Sequence, residues 1–66
     1  MNFYRFGLHG GVVTIIARDI HEARKLLARS LKDDGFAPST QRHAYRAPLL
    51  SKGEATAEMI SYMRRA

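Results

Sequence analysis

The sequence predicts a small α+β domain in the order β-β-α-β-α. An N-terminal β-hairpin and a third strand form a mostly antiparallel sheet, packed on one capped amphipathic helix, with a further helix at the C-terminus. Three observations carry this reading. Residues 3–9 alternate apolar and polar up to Gly10-Gly11, and a β-branched run follows. Asp19-Ile20-His21-Glu22 opens a stretch whose apolar residues recur at helical spacing. A second alternating stretch and a second amphipathic stretch complete the chain. With 66 residues, the whole of 1–66 reads as one domain, near the size below which a single core needs outside support.

The hairpin comes first. Tyr4, Phe6 and Leu8 share one face of the first strand, and Phe3, Arg5, Gly7 and His9 share the other. Gly10-Gly11 is expected to form a two-residue turn, because glycine takes positive φ without a steric penalty. Val12 to Ala17 then pairs back as the second strand. This turn sets His9 opposite Val12, Phe6 opposite Ile15 and Tyr4 opposite Ala17. The inner face becomes Tyr4, Phe6, Leu8, Val13, Ile15 and Ala17, and the outer face keeps Phe3, Arg5, Val12, Thr14, Ile16 and Arg18.

Asp19 and Glu22 form a capping box at the start of a helix that runs to about Asp33 and stops at Gly35. Ile20, Ala23, Leu26, Leu27, Ser30 and Leu31 make its apolar arc, with Arg24 as a misfit inside it. Lys25, Arg29 and Lys32 form a basic stripe on the opposite side. Gln41 to Ala47 alternates and reads as the third strand, ended by Pro48, with His43 and Tyr45 on one side and Arg42 and Arg46 on the other. Ser51-Lys52-Gly53-Glu54 reads as a second capping box, opening a helix from Glu54 to about Arg65. Ala55, Thr56, Met59, Ile60, Tyr62 and Met63 form its apolar arc. Arg64 and Arg65 suit the negative end of its dipole.

Composition narrows the function. The formal net charge is +5, and Arg supplies eight of the eleven basic residues. Arginine donates paired hydrogen bonds to phosphates and carboxylates, so a polyanionic partner is expected: nucleic acid, or the acidic or nucleic-acid-binding surface of another protein. There is no cysteine, which excludes disulfides and thiolate metal sites. His9, His21 and His43 show no ligand spacing and no neighbouring nucleophile, so no catalytic residue, metal or cofactor is assigned and a non-enzymatic protein is expected. No apolar run reaches transmembrane length and no signal-peptide pattern opens the chain, so the default expectation is a cytoplasmic protein without a membrane partner. The small size leaves a homodimer open.

The first candidate site is the outer sheet face. Arg5 and Arg18 flank Phe3 there, and Arg42 and Arg46 join if the third strand pairs with the same facing. Phosphates would take the arginines, and an unpaired base would stack on Phe3. The alternative is that the C-terminal helix covers this face and Phe3, Val12 and Ile16 belong to the core. Lys25, Arg29 and Lys32 form a secondary basic stripe, which is also what the solvated side of any helix looks like. Met59, Ile60, Tyr62 and Met63 form a face suited to a partner or to the domain's own sheet. Arg24 either reaches a ligand, lies along the core edge, or pairs with Glu54 or Glu58.

Residues Leu27 to Arg46 carry a Leu-rich helix, Lys32-Asp33-Asp34-Gly35-Phe36 and then Arg42-His43-Ala44-Tyr45-Arg46. This stretch is similar to the opening of the HicA-type toxins, small basic RNA-cleaving proteins of double-stranded-RNA-binding-like fold. There a helix ending in Asp-Gly-aromatic precedes a strand bearing Gly-Ser-His. The resemblance implies RNA cleavage with His43 as the catalytic base, although Gln41 and Arg42 stand where that family has Gly and Ser. The Ala17-x-Asp19-x-x-Glu22-Ala23-Arg24 join also resembles many small phage and plasmid proteins. Three functions follow as expectations: a nucleic-acid-binding module, a phage-type inhibitor or adaptor acting by protein-protein interaction, and an RNA-cleaving toxin.

Overall fold

The computed structural model describes the backbone of residues 1–65 and the side chains of residues 1–62. The elements are β1 (Asn2–Leu8), β2 (Gly11–Ala17), α1 (Ile20–Asp33), a single turn α2 (Pro38–Gln41) running into a 3-10 helix (Arg42–Tyr45), β3 (Leu49–Glu54) and α3 (Ala57–Arg65). The three strands form one antiparallel sheet in the order β2-β1-β3. The expected α+β class and β-β-α-β-α order are therefore present, with the third strand further along the chain than expected.

The hairpin turns at His9-Gly10 and not at Gly10-Gly11. Both residues have positive φ, 52° and 77°, as a type I′ turn requires. Leu8 therefore pairs with Gly11, Phe6 with Val13 and Tyr4 with Ile15, two residues away from the expected register. A slip of two leaves every side chain on its expected face, because strand side chains alternate with period two. A tertiary contact accompanies the choice: the His9 ring stacks on Phe36, with centroids 5.7 Å apart and planes within 8°.

The inner face carries the core. Tyr4, Phe6, Ile15 and Ala17 meet Ala23, Leu27 and Leu31 of α1, with Ala44 and Ala47 closing the cluster. Helix α1 has the expected caps. Asp19 Oδ1 accepts from Glu22 N at 2.8 Å. At the other end Phe36 N donates to Leu31 O and Gly35 N to Lys32 O, with Gly35 at φ 85°. This is the Schellman closure that an αL glycine permits. Glu22 reaches back past the cap residue. It accepts from Arg18 N at 3.1 Å and pairs with the Arg18 guanidinium at 3.0 Å.

These contacts hold the Asp19 and Glu22 carboxyls below their ordinary pKa, chiefly through the backbone bond from Glu22 N to Asp19 and that from Arg18 N to Glu22. Lowered values mean that both groups bind protons less readily folded than unfolded. Their stabilisation is complete above the ordinary carboxylate range and is lost as pH falls through the lowered values. The thermal midpoint is expected to drop on acidification, and Asp19→Asn, which keeps a cap acceptor but no charge, should flatten part of that drop. An identical acid profile in the variant would remove Asp19 from the account.

Residues 41–47 depart from the expected strand. Pro38 opens a helical turn, a position that needs no N–H, and Ala44 and Ala47 are both buried. Their spacing of three matches a 3-10 turn as well as the loose alternation of the stretch matches a strand. The strand forms instead at Leu49–Glu54, where Ser51-x-x-Glu54 suggests a helix start. It pairs Ser51 with Arg5 and Gly53 with Phe3, and Leu50 is bulged out between Arg5 and Phe6. Gly7 N→Pro48 O and Ala55 N→Met1 O extend the ladder at its two ends, each 3.0 Å. The last helix begins after Thr56, whose hydroxyl accepts from Met59 N at 3.1 Å.

Gly53 is required by the Phe3 ring. A Cβ at residue 53 would lie 2.6 Å from Phe3 Cε2, so Gly53→Ala is expected to displace the ring and lower the thermal midpoint. Phe3→Ala should relieve the clash, and a double variant no more stable than the sum of the two singles would refute the contact.

Candidate nucleic-acid interface

The arginines expected to act together lie on two sides of the sheet. On the outer face, the Arg5 guanidinium lies over the Phe3 ring, 4.8 Å from its centroid, so one face of that ring is occupied by Arg5. Helix α3 lies across part of the same face. Between them is a groove of about 340 Å³ lined by Arg5, Thr14, Ile16, Glu58, Met59 and Tyr62. Both expectations for this face are thus partly met: Ile16 is half-buried and lines the groove with α3, Phe3 is half-buried between Arg5 and Gly53, and Val12 stays 61% exposed. Met59 and Ile60 are half-buried and Tyr62 is exposed. Met63, Arg64 and Arg65 lie outside the residues whose side chains are described.

Arg42 and Arg46 do not join Arg5. Their segment is helical and lies beside α1, on the inner side of the sheet. Arg24 makes the join: its Nη1 donates to Ala44 O at 3.1 Å and to Ala47 O at 2.8 Å, and its guanidinium sits 5.0 Å above the Phe6 ring. Ala44 O lies in the last turn of the 3-10 helix and Ala47 O in the loop that follows it, where backbone acceptors lack intrahelical partners. Arg24 is thus a structural clamp. It pairs with neither Glu54 nor Glu58.

This placement regroups the basic residues. At about 100° per residue, the flank of α1 that starts with Arg24 and Ala28 continues round to Lys32 and Lys25 and then Arg29. The 42–47 segment borders α1 through Arg24, which brings Arg42 and Arg46 to the helix that carries Lys32 and Lys25 about 80–100° round from Arg24 and Arg29 about 140° round. All five are exposed. Arg18 is exposed too, but it is held by Glu22, the only ion pair among the described residues.

A ring cluster lies at the end of the hairpin. His9 stacks on Phe36 and lies 6.1 Å from the tilted ring of His43. Phe36 is 41% exposed and Tyr45 56%. No local pattern signals this cluster, because its members come from a turn, a post-helix loop and a 3-10 helix. His43 sits on that 3-10 helix, where the toxin resemblance implies a strand. Among the described residues no group of His, Asp or Glu is placed to hold a metal, and no helix is long and apolar enough to cross a membrane.

Comparison with protein-family models, with curated proteins and with solved structures finds no match to this chain.

Proposed function

We propose that this is a small, non-enzymatic nucleic-acid-binding protein whose interface is the α1 flank together with residues 42–46. The reading rests on one observation above all: Lys25, Arg29, Lys32, Arg42 and Arg46, on α1 and the segment clamped beside it, are all exposed, and none has an acidic partner among the described residues. Unpaired arginines and lysines on one surface suit a phosphate backbone. The exposed Tyr45 ring, and the face of Phe36 that His9 does not cover, offer flat surfaces on which unpaired bases stack, which favours single strands over duplex. The outer-face set of Phe3, Arg5 and Arg18 is the weaker surface, since Phe3 carries Arg5 and Arg18 is paired with Glu22.

The test is fluorescence anisotropy of labelled single- and double-stranded DNA and RNA at two salt concentrations. Single strands should bind with a steep salt dependence. Joint substitution Arg42→Glu and Arg46→Glu should weaken binding at least about tenfold and reduce the salt slope by about 0.7–0.9 for each phosphate no longer neutralised. Arg5→Glu should change little. Unchanged affinity in the double variant would defeat this placement of the interface. Absence of binding at low salt would defeat the reading altogether and move the basic surface to an acidic protein partner, as an inhibitor or adaptor would use it.

A further inference from the structure

The two edges of the sheet are not alike. The β3 edge carries several features that discourage pairing with another chain: Pro48 just before it, a bulge at Leu50, the charge of Lys52, and Gly53. The β2 edge carries only a glycine, Gly11, at its first position. Gly11–Ala17 is Gly-Val-Val-Thr-Ile-Ile-Ala, without charge, proline or bulge, and no strand lies beyond it. Natural sheets rarely leave such an edge bare.

The free groups on that edge follow from the hairpin. A two-residue turn makes Leu8–Gly11 a hydrogen-bonded pair, and pair types then alternate along the ladder. Phe6–Val13, Tyr4–Ile15 and Asn2–Ala17 are bonded to β1. The N–H and C=O groups of Val12, Thr14 and Ile16 therefore point away from β1, in the plane of the sheet.

We infer that the protein forms a two-fold homodimer in which β2 pairs antiparallel with β2 of a second copy, with Thr14 opposite Thr14 at the axis. That register matches all the outward groups: Thr14 meets Thr14, and Val12 of each copy meets Ile16 of the other. A second copy fits better than an unrelated strand because the edge is self-complementary. Threonine opposite threonine and paired β-branched residues are favourable cross-strand neighbours. Arg18 of each copy falls opposite the other copy's Gly10, so no like charges meet.

The surfaces above and below the edge agree. On the outer face, Val12, exposed in the single chain, packs beside the second copy's Ile16 and closes the open side of the groove that Thr14 and Ile16 line. On the inner face, α1 packs against β2, and its flank opposite Arg24 carries the half-buried Leu26 and Ser30. Dimerisation thus extends one sheet through both copies and leaves the two basic flanks free. It is independent of what those flanks bind.

Light scattering across a concentration series tests it, with oxidative cross-linking as a second readout. The chain has no cysteine, so Thr14→Cys introduces a single thiol at the axis, and Ser51→Cys places one on the β3 edge as a control. The expected result is a dimer mass, cross-linking from Thr14→Cys well above that from Ser51→Cys, and a monomer mass for Thr14→Lys with its circular dichroism intact. Val12→Lys, at an exposed position, repeats the test should Thr14→Lys not fold. A monomer at the highest soluble concentration overturns the inference and leaves the edge to a strand from another protein. So does a dimer that persists in Val12→Lys, or equal cross-linking from the two edges.

Discussion

Phe6→Ala is expected to leave the chain largely unfolded at room temperature. Phe6 is fully buried on the central strand, between Val13 on one side and Leu49 on the other, with α1 beneath and the Arg24 guanidinium over its ring. Truncating a buried phenylalanine costs about 3–5 kcal/mol, because transfer energy is lost and the cavity collapses only in part. The cation–ring contact adds about 0.5–2 kcal/mol. A domain of this length holds roughly 3–10 kcal/mol in all, so the loss takes most or all of it. Leu27→Ala, across the core in α1, should cost about 2–5 kcal/mol for the same reason. Val12→Ala serves as the control, and its midpoint should stay close to that of the parent. Urea unfolding followed by circular dichroism reads all three. A cooperative Phe6→Ala transition with a midpoint near the parent's would mean that the core lies elsewhere.

The parts of the fold that the sequence shows plainly are those in which one period dominates. The hairpin's inner face is set by six largely apolar positions and the α1 arc by five, and a register error of two residues in the hairpin leaves them intact. The capping of α1 by Asp19 and its closure at Gly35 are likewise local chemistry, complete within a few residues. Residues 41–54 have no such redundancy. Arg42-His43-Ala44-Tyr45-Arg46-Ala47 fits period two and period three about equally, since its only buried side chains are two alanines. Burial against α1 selects the 3-10 turn. Ser51-x-x-Glu54 has the letters of a capping box, but its backbone is held in the ladder by Arg5 and Asn2. The true cap, Thr56, lacks the acidic partner that would mark it.

The candidate interface shifts for the same reason. Once residues 42–46 are helical, Arg42 and Arg46 move from the outer sheet face to the neighbourhood of α1, the helix that carries Lys25, Arg29 and Lys32. The individual residues are visible in the sequence. Their grouping depends on a contact between segments twenty residues apart, which periodicity cannot report. The same holds for the His9–Phe36–His43 stack.

Arg24 is that contact, and Arg24→Met is expected to release residues 38–47 from the rest of the domain. Methionine keeps the apolar stem on the core edge but donates nothing, so Ala44 O and Ala47 O, on two buried residues, lose their partner. An unsatisfied buried acceptor costs about 1–3 kcal/mol. With Arg24 itself only half-buried, water can reach part of the gap, so the total should lie near 2–4 kcal/mol. Arg24→Lys should recover only part of it: an ammonium can donate to both carbonyls as Nη1 does, but its shorter stem and compact charge lose the guanidinium placed 5.0 Å over the Phe6 ring. Hydrogen exchange separates this from general destabilisation: amides of residues 40–47 should lose protection first, while those of the β1–β2 ladder keep theirs. Binding follows from the same event. Freeing the segment detaches Arg42 and Arg46 from the α1 flank, so Arg24→Met should weaken nucleic-acid binding although Arg24 touches no ligand. If Arg24→Met instead left stability and exchange unchanged while abolishing binding, Arg24 would be a contact residue and the clamp would be wrong.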